Sequence, residues 1–402
     1  MKPRIFINIH YLEIGGAETS LIGLLQALDP QRVEVDLFLN AHRGEMMAYI
    51  PEWVNVLPER KAYTMIERPI KDVVRAGYVH IALARLWAKW RYRIYARKKR
   101  PEDGSAIFGY VGKYVTPLLP SLKSFGEYAL AISFLTPHNI VLDKVQARKK
   151  VCWIHTDYSR IDVNPQVELP VWSGYDRIVS ISGDVTRTFC DVFPSLCNKI
   201  VEIENILSPE FIRRRAEEFQ PSDMPKAENG YTLLTIGRYC PAKKLEEIPA
   251  ICRHLVEKGL DIKWYIIGYG AGCDYICRAI ADAGMEDKVL LLGKRANPYP
   301  YIKTCDWYVQ PSRFEGKSVV VREAQILGKP VIITHYPTAP SQVQNGVDGM
   351  IVPMPVGDCA DAIAKILVDN DLRNSISEYL CSHNRGNEAE AGKIYELALS
   401  RV

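Results

Sequence analysis

The first 151 residues of this 402-residue chain contain no cysteine; all ten come later, beginning at Cys152, and none forms a CxxC pair. The tightest spacing, Cys273 to Cys277, falls in an expected helix, so the cysteines read as packing residues of a reducing compartment rather than disulfides or zinc ligands. No uninterrupted apolar run approaches roughly 18 residues, which excludes a membrane-spanning helix on hydropathy. The charge excess is only +4, from 51 Lys and Arg against 47 Asp and Glu, and by itself does not point to nucleic acid. No HExxH and no Ser-His-Asp grouping is evident. The Gly-Lys-Ser at Gly316–Ser318 is the tail of a phosphate-binding P-loop, but that motif needs a glycine where Pro311 stands, so the motif is excluded.

What is present is an alternation of short apolar strands with helical or polar stretches. RIFINIH at the start reads as a buried first strand rather than a signal peptide. A glycine turn and the helical pattern AETSLIGLLQALD follow, then strands VEVDLFL, YALAISFL, KKVCWIH and YDRIVSIS. Residues 208 to 230, polar and proline-bearing, read as a connection. The pattern restarts with YTLLTIG, IKWYIIG, KVLLLG, DWYVQPS, KPVIITH and DGMIVPM. The expected architecture is α/β, with two tandem Rossmann-like doubly wound domains over 1–207 and 208–385. A C-terminal helix about 386–402 is expected to pack back on the first. Ligands of such folds bind at the carboxyl ends of strands, and the cleft between the domains is the expected place.

Several strand ends carry candidate chemistry. Arg238 follows YTLLTIG, and Lys243 and Lys244 are expected to open a helix five residues later, which would suit a pyrophosphate. The blander reading is a surface arginine and a solvated first turn. After DWYVQPS, Ser318 is expected to cap a helix ending at Gly328. Glu315 would then lie in the preceding loop and Glu323 on the second turn, with the free amides of Ser318 and Val319 between them. Glu323 could equally be a solvated helix residue. In the first half, Gly15 and Gly16 open a helix whose backbone a phosphate or sugar can approach, and His155 ends the strand KKVCWIH. Tyr269-Gly270-Ala271-Gly272 reads as a tight turn, and Asp369-Asn370-Asp371 as a loop and helix cap rather than a metal motif.

Taken together, these residues resemble the retaining glycosyltransferases of family 4, which have the two-domain GT-B fold. GGAETSLIGLLQAL looks like that family's glycine loop and first helix, and GRYCPAKK like its phosphate motif. EGKSVVVREAQILGKPVI looks like its Glu-x7-Glu signature, continued by NGVDGMIVP. WIHTDY, NILSPEFI and NPYPYIKTCDWYVQPSRFEG are most similar to members that build bacterial capsules and other surface polysaccharides. The resemblance implies that Glu323 holds the donor ribose and Glu315 the donor sugar. Arg238 and Lys243 would grip the diphosphate, with Gly316, Lys317, Ser318 and Val319 lining that anion site. Lys294 and Arg295 would lie against the base, His155 would approach the reacting sugar carbon, and Gly16 would back the diphosphate. Neither metal nor other cofactor is implied. Lys244 departs from the family glycine, Lys317 from an aromatic or small residue, and Ser341 from an acid.

The segment ARLWAKWRYRIYARKKR, from Ala84 to Arg100, carries eight Lys and Arg and no acid. Trp87, Trp90, Arg91, Arg93, Arg97, Lys98, Lys99 and Arg100 suit an anionic membrane surface better than nucleic acid. A solvated helix with packed aromatics is the plainer alternative. The expectation is therefore a cytoplasmic enzyme, peripheral on the inner face of the cytoplasmic membrane. It would move a hexose or N-acetylhexosamine from a nucleotide sugar, UDP-linked, to a glycan acceptor carried on a polyprenyl diphosphate. The rivals are a sugar-nucleotide epimerase or hydrolase of the same fold and a non-catalytic nucleotide-sugar-binding protein.

Overall fold

The protein is described by a computed structural model covering residues 2–101, 103–383 and 386–400. The chain forms two compact units, Met1–Ile206 with Asn387–Val402, and Leu207–Gly386. Each is built on a parallel sheet, as two tandem Rossmann-like domains require.

In the first unit the strands are β1 (Arg4–Ile9), β2 (Glu34–Leu39), β3 (Asn55–Val56), β4 (Glu127–Ser133), β5 (Gln146–Ile154), β6 (Arg177–Ser180) and β7 (Ile200–Glu202). They lie in the order β3-β2-β1-β4-β5-β6-β7, every pair parallel. A parallel sheet is covered on both faces, which is why β1 reads as an almost continuous apolar run instead of an alternation. Its Ile5, Phe6, Ile7 and Ile9 are fully buried. A buried acid of this sheet is satisfied on three sides. Asp36 of β2 accepts from Arg4 at 2.7 Å, Tyr128 at 2.6 Å and Asn55 at 2.6 Å, so strands β1 to β4 are tied through one carboxylate. The two-residue β3 is too short to leave a periodic signal.

The second unit holds β8 (Tyr231–Ile236), β9 (Ile262–Ile267), β10 (Val289–Gly293), β11 (Trp307–Gln310), β12 (Val331–Thr334) and β13 (Met350–Val352). Their order is β10-β9-β8-β11-β12-β13, again all parallel. Trp264 and Trp307 are fully buried in its core beside Leu233, Ile266 and Ile332.

Two features differ from expectation. The stretch expected as a connection contains the helix Pro209–Ala216, capped by Ser208 and packed into the second unit through Phe211, Ile212 and the buried Arg215. Cys190 and Cys197 are joined as a disulfide, whereas the cysteines were expected to be unpaired. A last helix, Ala391–Leu399, belongs to the first unit: Ile394 is fully buried, and the Asp29 amide donates to Tyr395 Oη at 2.6 Å.

Candidate functional site

In the second sheet β8 continues to β9 on one side and borders β11 on the other, so the chain changes direction between β8 and β11. The loops leaving such neighbouring strands diverge and open a crevice at their carboxyl ends. From β8 comes Gly237 to Lys243; from β11 comes Pro311 to Ser318.

These two loops meet at Lys243 and Glu315, whose Nζ and Oε1 are 2.6 Å apart. Gly237 makes the approach possible: a Cβ there would stand 3.3 Å from the Lys243 stem. Gln310 Nε2 and Ser312 Oγ donate to the same carboxylate oxygen at 2.9 and 2.6 Å, and Thr338 Oγ1 donates to the Glu315 carbonyl at 2.8 Å. Among the described residues these side-chain bonds fall on Oε1, so Oε2 can accept from a ligand hydroxyl. Arg313 clasps the loops together, pairing with Glu246 at 2.7 Å and Glu247 at 2.9 Å while its amide donates to Ala242. Arg238 is exposed, and its guanidinium pairs with no carboxylate among the described residues.

Lys243 does not open an α-helix. It ends a single 3-10 turn, Pro241–Lys243, and the helix begins at Ile248. Lys244 causes the break: its φ of +57° is left-handed, a conformation that glycine adopts freely and lysine does not. The lysine is held there by burial of its stem, by Glu247 at 2.7 Å and by the Met354 carbonyl.

Ser318 is the N-cap of Val319–Ile326, but its side chain makes no capping bond. Its amide is also not free: it donates to Gln342 Oε1 at 3.1 Å, and Gln342 returns a bond to the Ser318 carbonyl. The anion site expected from Gly316, Lys317, Ser318 and Val319 therefore loses one donor to a side chain 24 residues away. Ser341, where an acid was expected by resemblance, donates to the Thr338 carbonyl at 2.7 Å.

Glu323 is buried on this helix, not solvated, at 3% exposure. Tyr299 Oη donates to its Oε1 at 2.8 Å, and the guanidinium of the buried Arg215 lies 5.4 Å from the Tyr299 ring centre. Burial pushes the carboxyl up to about 7, against the opposing pull of Tyr299 and Arg215. Arg295, expected against a base, bonds Asp223 at 2.6 Å and Tyr301 Oη at 3.0 Å; Lys294 Nζ stands 5.2 Å from the centre of the Tyr269 ring. Gly270, with φ +150° and no room for a Cβ against Tyr239, makes the expected turn. Asp369 caps its helix by accepting from the Leu372 amide at 2.9 Å, as a loop acid would.

In the first unit, His155 follows β5 with its ring 4.7 Å from Phe134. Its Nε2 is shut off from solvent without a hydrogen-bond partner. Burial lowers the imidazole to about 4, against the opposing pull of the Phe134 backbone and the Asn205 side chain, so it is neutral at physiological pH. Gly16 is exposed at the first position of Gly16–Ala27, where Glu18 already places a carboxylate in the first turn.

Sequence reasoning missed Tyr299, Arg215, Gln342, Thr338 and Arg313. All act across 20 residues or more, and only Gln310 and Ser312, beside Glu315 in the same strand end, carried a local signal.

Residues 216–381 match the family model described as glycosyl transferases group 1. The chain is 31% identical over 307 residues to the amylovoran biosynthesis glycosyltransferase AmsK of Erwinia amylovora, covering 67% of this chain and 75% of that one. It is 28% identical over 139 residues to a poly(ribitol-phosphate) alpha-N-acetylglucosaminyltransferase of Staphylococcus aureus, covering 34% of this chain and only 28% of that relative. Another local match spans 39% of its relative. Among solved structures, a mutant of S. aureus TarM in complex with fondaparinux, alpha-GlcNAc-glycerol and UDP superposes with a TM-score of 0.67 at 14% identity. That match covers 99% of this chain and 100% of the other. At such identity the likeness speaks for the fold alone, and the fold is GT-B.

Proposed function

The chain belongs to the group 1 glycosyl transferases, and from that premise we propose that it moves a hexose or N-acetylhexosamine from a UDP-linked sugar to a growing surface glycan. The acceptor is carried on a polyprenyl diphosphate at the inner face of the cytoplasmic membrane, and the transfer keeps the anomeric configuration, as in family 4. The observation that carries the reading is the 2.6 Å contact of Lys243 and Glu315 at the β8–β11 crevice. Under this proposal the Lys243 cation meets the departing diphosphate, and the second oxygen of Glu315 accepts from a sugar hydroxyl.

In this reading the ribose hydroxyls meet Glu323, held in place by Tyr299. Arg238 and Lys243, with the remaining amides at the start of Val319–Ile326, stabilise the diphosphate as the bond from the anomeric carbon to its oxygen breaks. The acceptor hydroxyl forms the new bond on the same face, and its proton passes to the departing diphosphate. Fixed cations and amides do the electrostatic work here, so no metal step is invoked.

The names of the relatives favour a polysaccharide product, and the S. aureus complex contains UDP. A calorimetric screen of nucleotide sugars, followed by turnover with and without glycan acceptor, tests the reading. Acceptor-dependent release of nucleoside diphosphate supports it. Turnover without acceptor would indicate the epimerase or hydrolase, and tight binding with no turnover a non-catalytic binder.

A further inference from the structure

The helix Val79–Lys99 has two apolar faces. One packs inward through Ile81, Ala82 and Ala88, next to a cluster containing Tyr110 and Val167. The other, formed by Val79, Leu83, Leu86, Trp87, Trp90 and Ile94 at spacings of three and four residues, points away from that packing. Leu83 is 61% exposed and Trp87 and Trp90 49% each, their rings 4.7 Å apart. With Tyr114 and Leu118 this face lines an open groove of about 700 Å³. Phe108, on the neighbouring helix Ile107–Val115, adds a further large apolar side chain at 58% exposure. Single exposed apolar residues are ordinary; a contiguous stripe of this size marks an interaction surface.

The charge around the stripe identifies the partner. Lys89, Arg91, Arg93 and the run Arg97 to Arg100 are exposed along and beyond it, and none forms an ion pair among the described residues. No acid occurs between Val79 and Pro101. A second copy of the chain docking through this face would set these cations against their equals. A nucleic acid would use the tryptophans and the cations but would leave the aliphatic side chains uncovered. An anionic bilayer uses all three: phosphates for the cations, the interfacial zone for the indoles, and acyl chains for Leu83, Leu86, Ile94 and Leu118. Among the described residues no helix is long and apolar enough to cross a membrane.

We infer that the outward face of Val79–Lys99 is a docking surface for an anionic lipid bilayer, with Trp87 and Trp90 seated at the headgroup level. This deepens the location named in the functional reading but stands on the helix surface alone. Lipid binding is read without donor or acceptor, so either inference can fail without the other.

The test is sedimentation of the full chain with vesicles of phosphatidylglycerol and phosphatidylcholine, against vesicles of phosphatidylcholine alone. Two variants accompany it: Trp87→Ser with Trp90→Ser, and Lys98→Gln with Lys99→Gln and Arg100→Gln. All five side chains are exposed, and an unchanged melting temperature verifies the fold. The wild type is expected to sediment with the anionic vesicles, less so as salt rises, with each variant binding roughly tenfold more weakly. Brominated lipid is expected to quench fluorescence in the wild type and not in the tryptophan variant. Absence of sedimentation at low salt, or binding by both variants as tight as that of the wild type, would overturn the inference. So would binding of a single-stranded oligonucleotide in place of vesicles, or a dimer in solution that shields Trp87 and Trp90 from a soluble quencher.

Discussion

Tyr299 Oη donates to Glu323 Oε1 at 2.8 Å, and this bond fixes the orientation of a carboxylate that is buried. Removing the hydroxyl frees the carboxylate to rotate without opening a large cavity. Tyr299→Phe is therefore expected to weaken binding of the nucleotide sugar by roughly tenfold, the range for a hydrogen bond to an ionisable group. Glu323→Ala should weaken it at least as much. Calorimetry at pH 8 reads both, and unchanged affinity in Glu323→Ala would remove this residue from the ribose.

The Lys243–Glu315 contact predicts a different pattern. Lys243→Ala is expected to lower kcat/KM by about a hundredfold or more, because the cation acts on charge that develops as the diphosphate leaves. Combined with Glu315→Gln, the losses should be far from additive, since each partner positions the other. Additive losses in a steady-state double-mutant cycle would show that the two act separately.

Glu323 also gives the fold a pH dependence. Its carboxyl is raised by burial from 4.5 to about 7, so the folded chain holds a proton that the unfolded chain releases. That stabilisation is complete below about 4.5 and is lost as pH rises through about 7, on the order of 3 kcal/mol. Glu168, raised to about 7 mainly by its own burial, adds in the same direction. His10, His138 and His155, lowered to about 4, 3 and 4 by burial, act in the opposite sense up to about 6.5, so the carboxyl is read by difference. Relative to Glu323→Gln, the melting temperature of the ligand-free wild type is expected to fall between pH 5 and pH 8, and a constant difference would count against the raised carboxyl.

At Lys244 the backbone sets the expectation. Lys244→Ala loses the Glu247 pair and keeps the left-handed φ of +57°, whereas Lys244→Gly loses the pair and relieves the φ. The glycine variant should be the more stable of the two by about 1 kcal/mol. Urea denaturation measures the difference, and equal stabilities would mean the conformation is not strained.

If the fixed cations carry the leaving-group chemistry, EDTA should leave the transfer rate intact. A rate lost to EDTA and restored by manganese would show that the cations are insufficient.

The alternation of strands and the two parallel sheets were legible because apolar periodicity is local. So was the placement of Glu315 in a loop and of Glu323 on the helix after it, because both sit in one continuous strand-loop-helix. What could not be read was anything set by a distant partner. Glu323 looks like a solvated helix residue until Tyr299 and Arg215 are brought to it from other elements. The Ser318 amide looks free until Gln342 arrives. The helix expected to start at Lys244 was displaced to Ile248 by one left-handed residue, and a lysine gives no local sign of adopting that conformation. The disulfide of Cys190 and Cys197 was missed because two cysteines seven residues apart carry no motif.

The helix Ala391–Leu399 closes the first unit after the second has been completed in sequence. On a ribosome, then, Leu207–Gly386 emerges whole while the unit begun at the amino terminus still lacks its last piece. Until Ile394 and Tyr395 appear, the flank of β4 that receives this helix stays uncovered. The usual order of maturation, amino-terminal domain first, is therefore expected to be reversed. A stop codon shortly after Gly386 would accordingly injure the half of the protein translated earliest, and spare the half translated just before it.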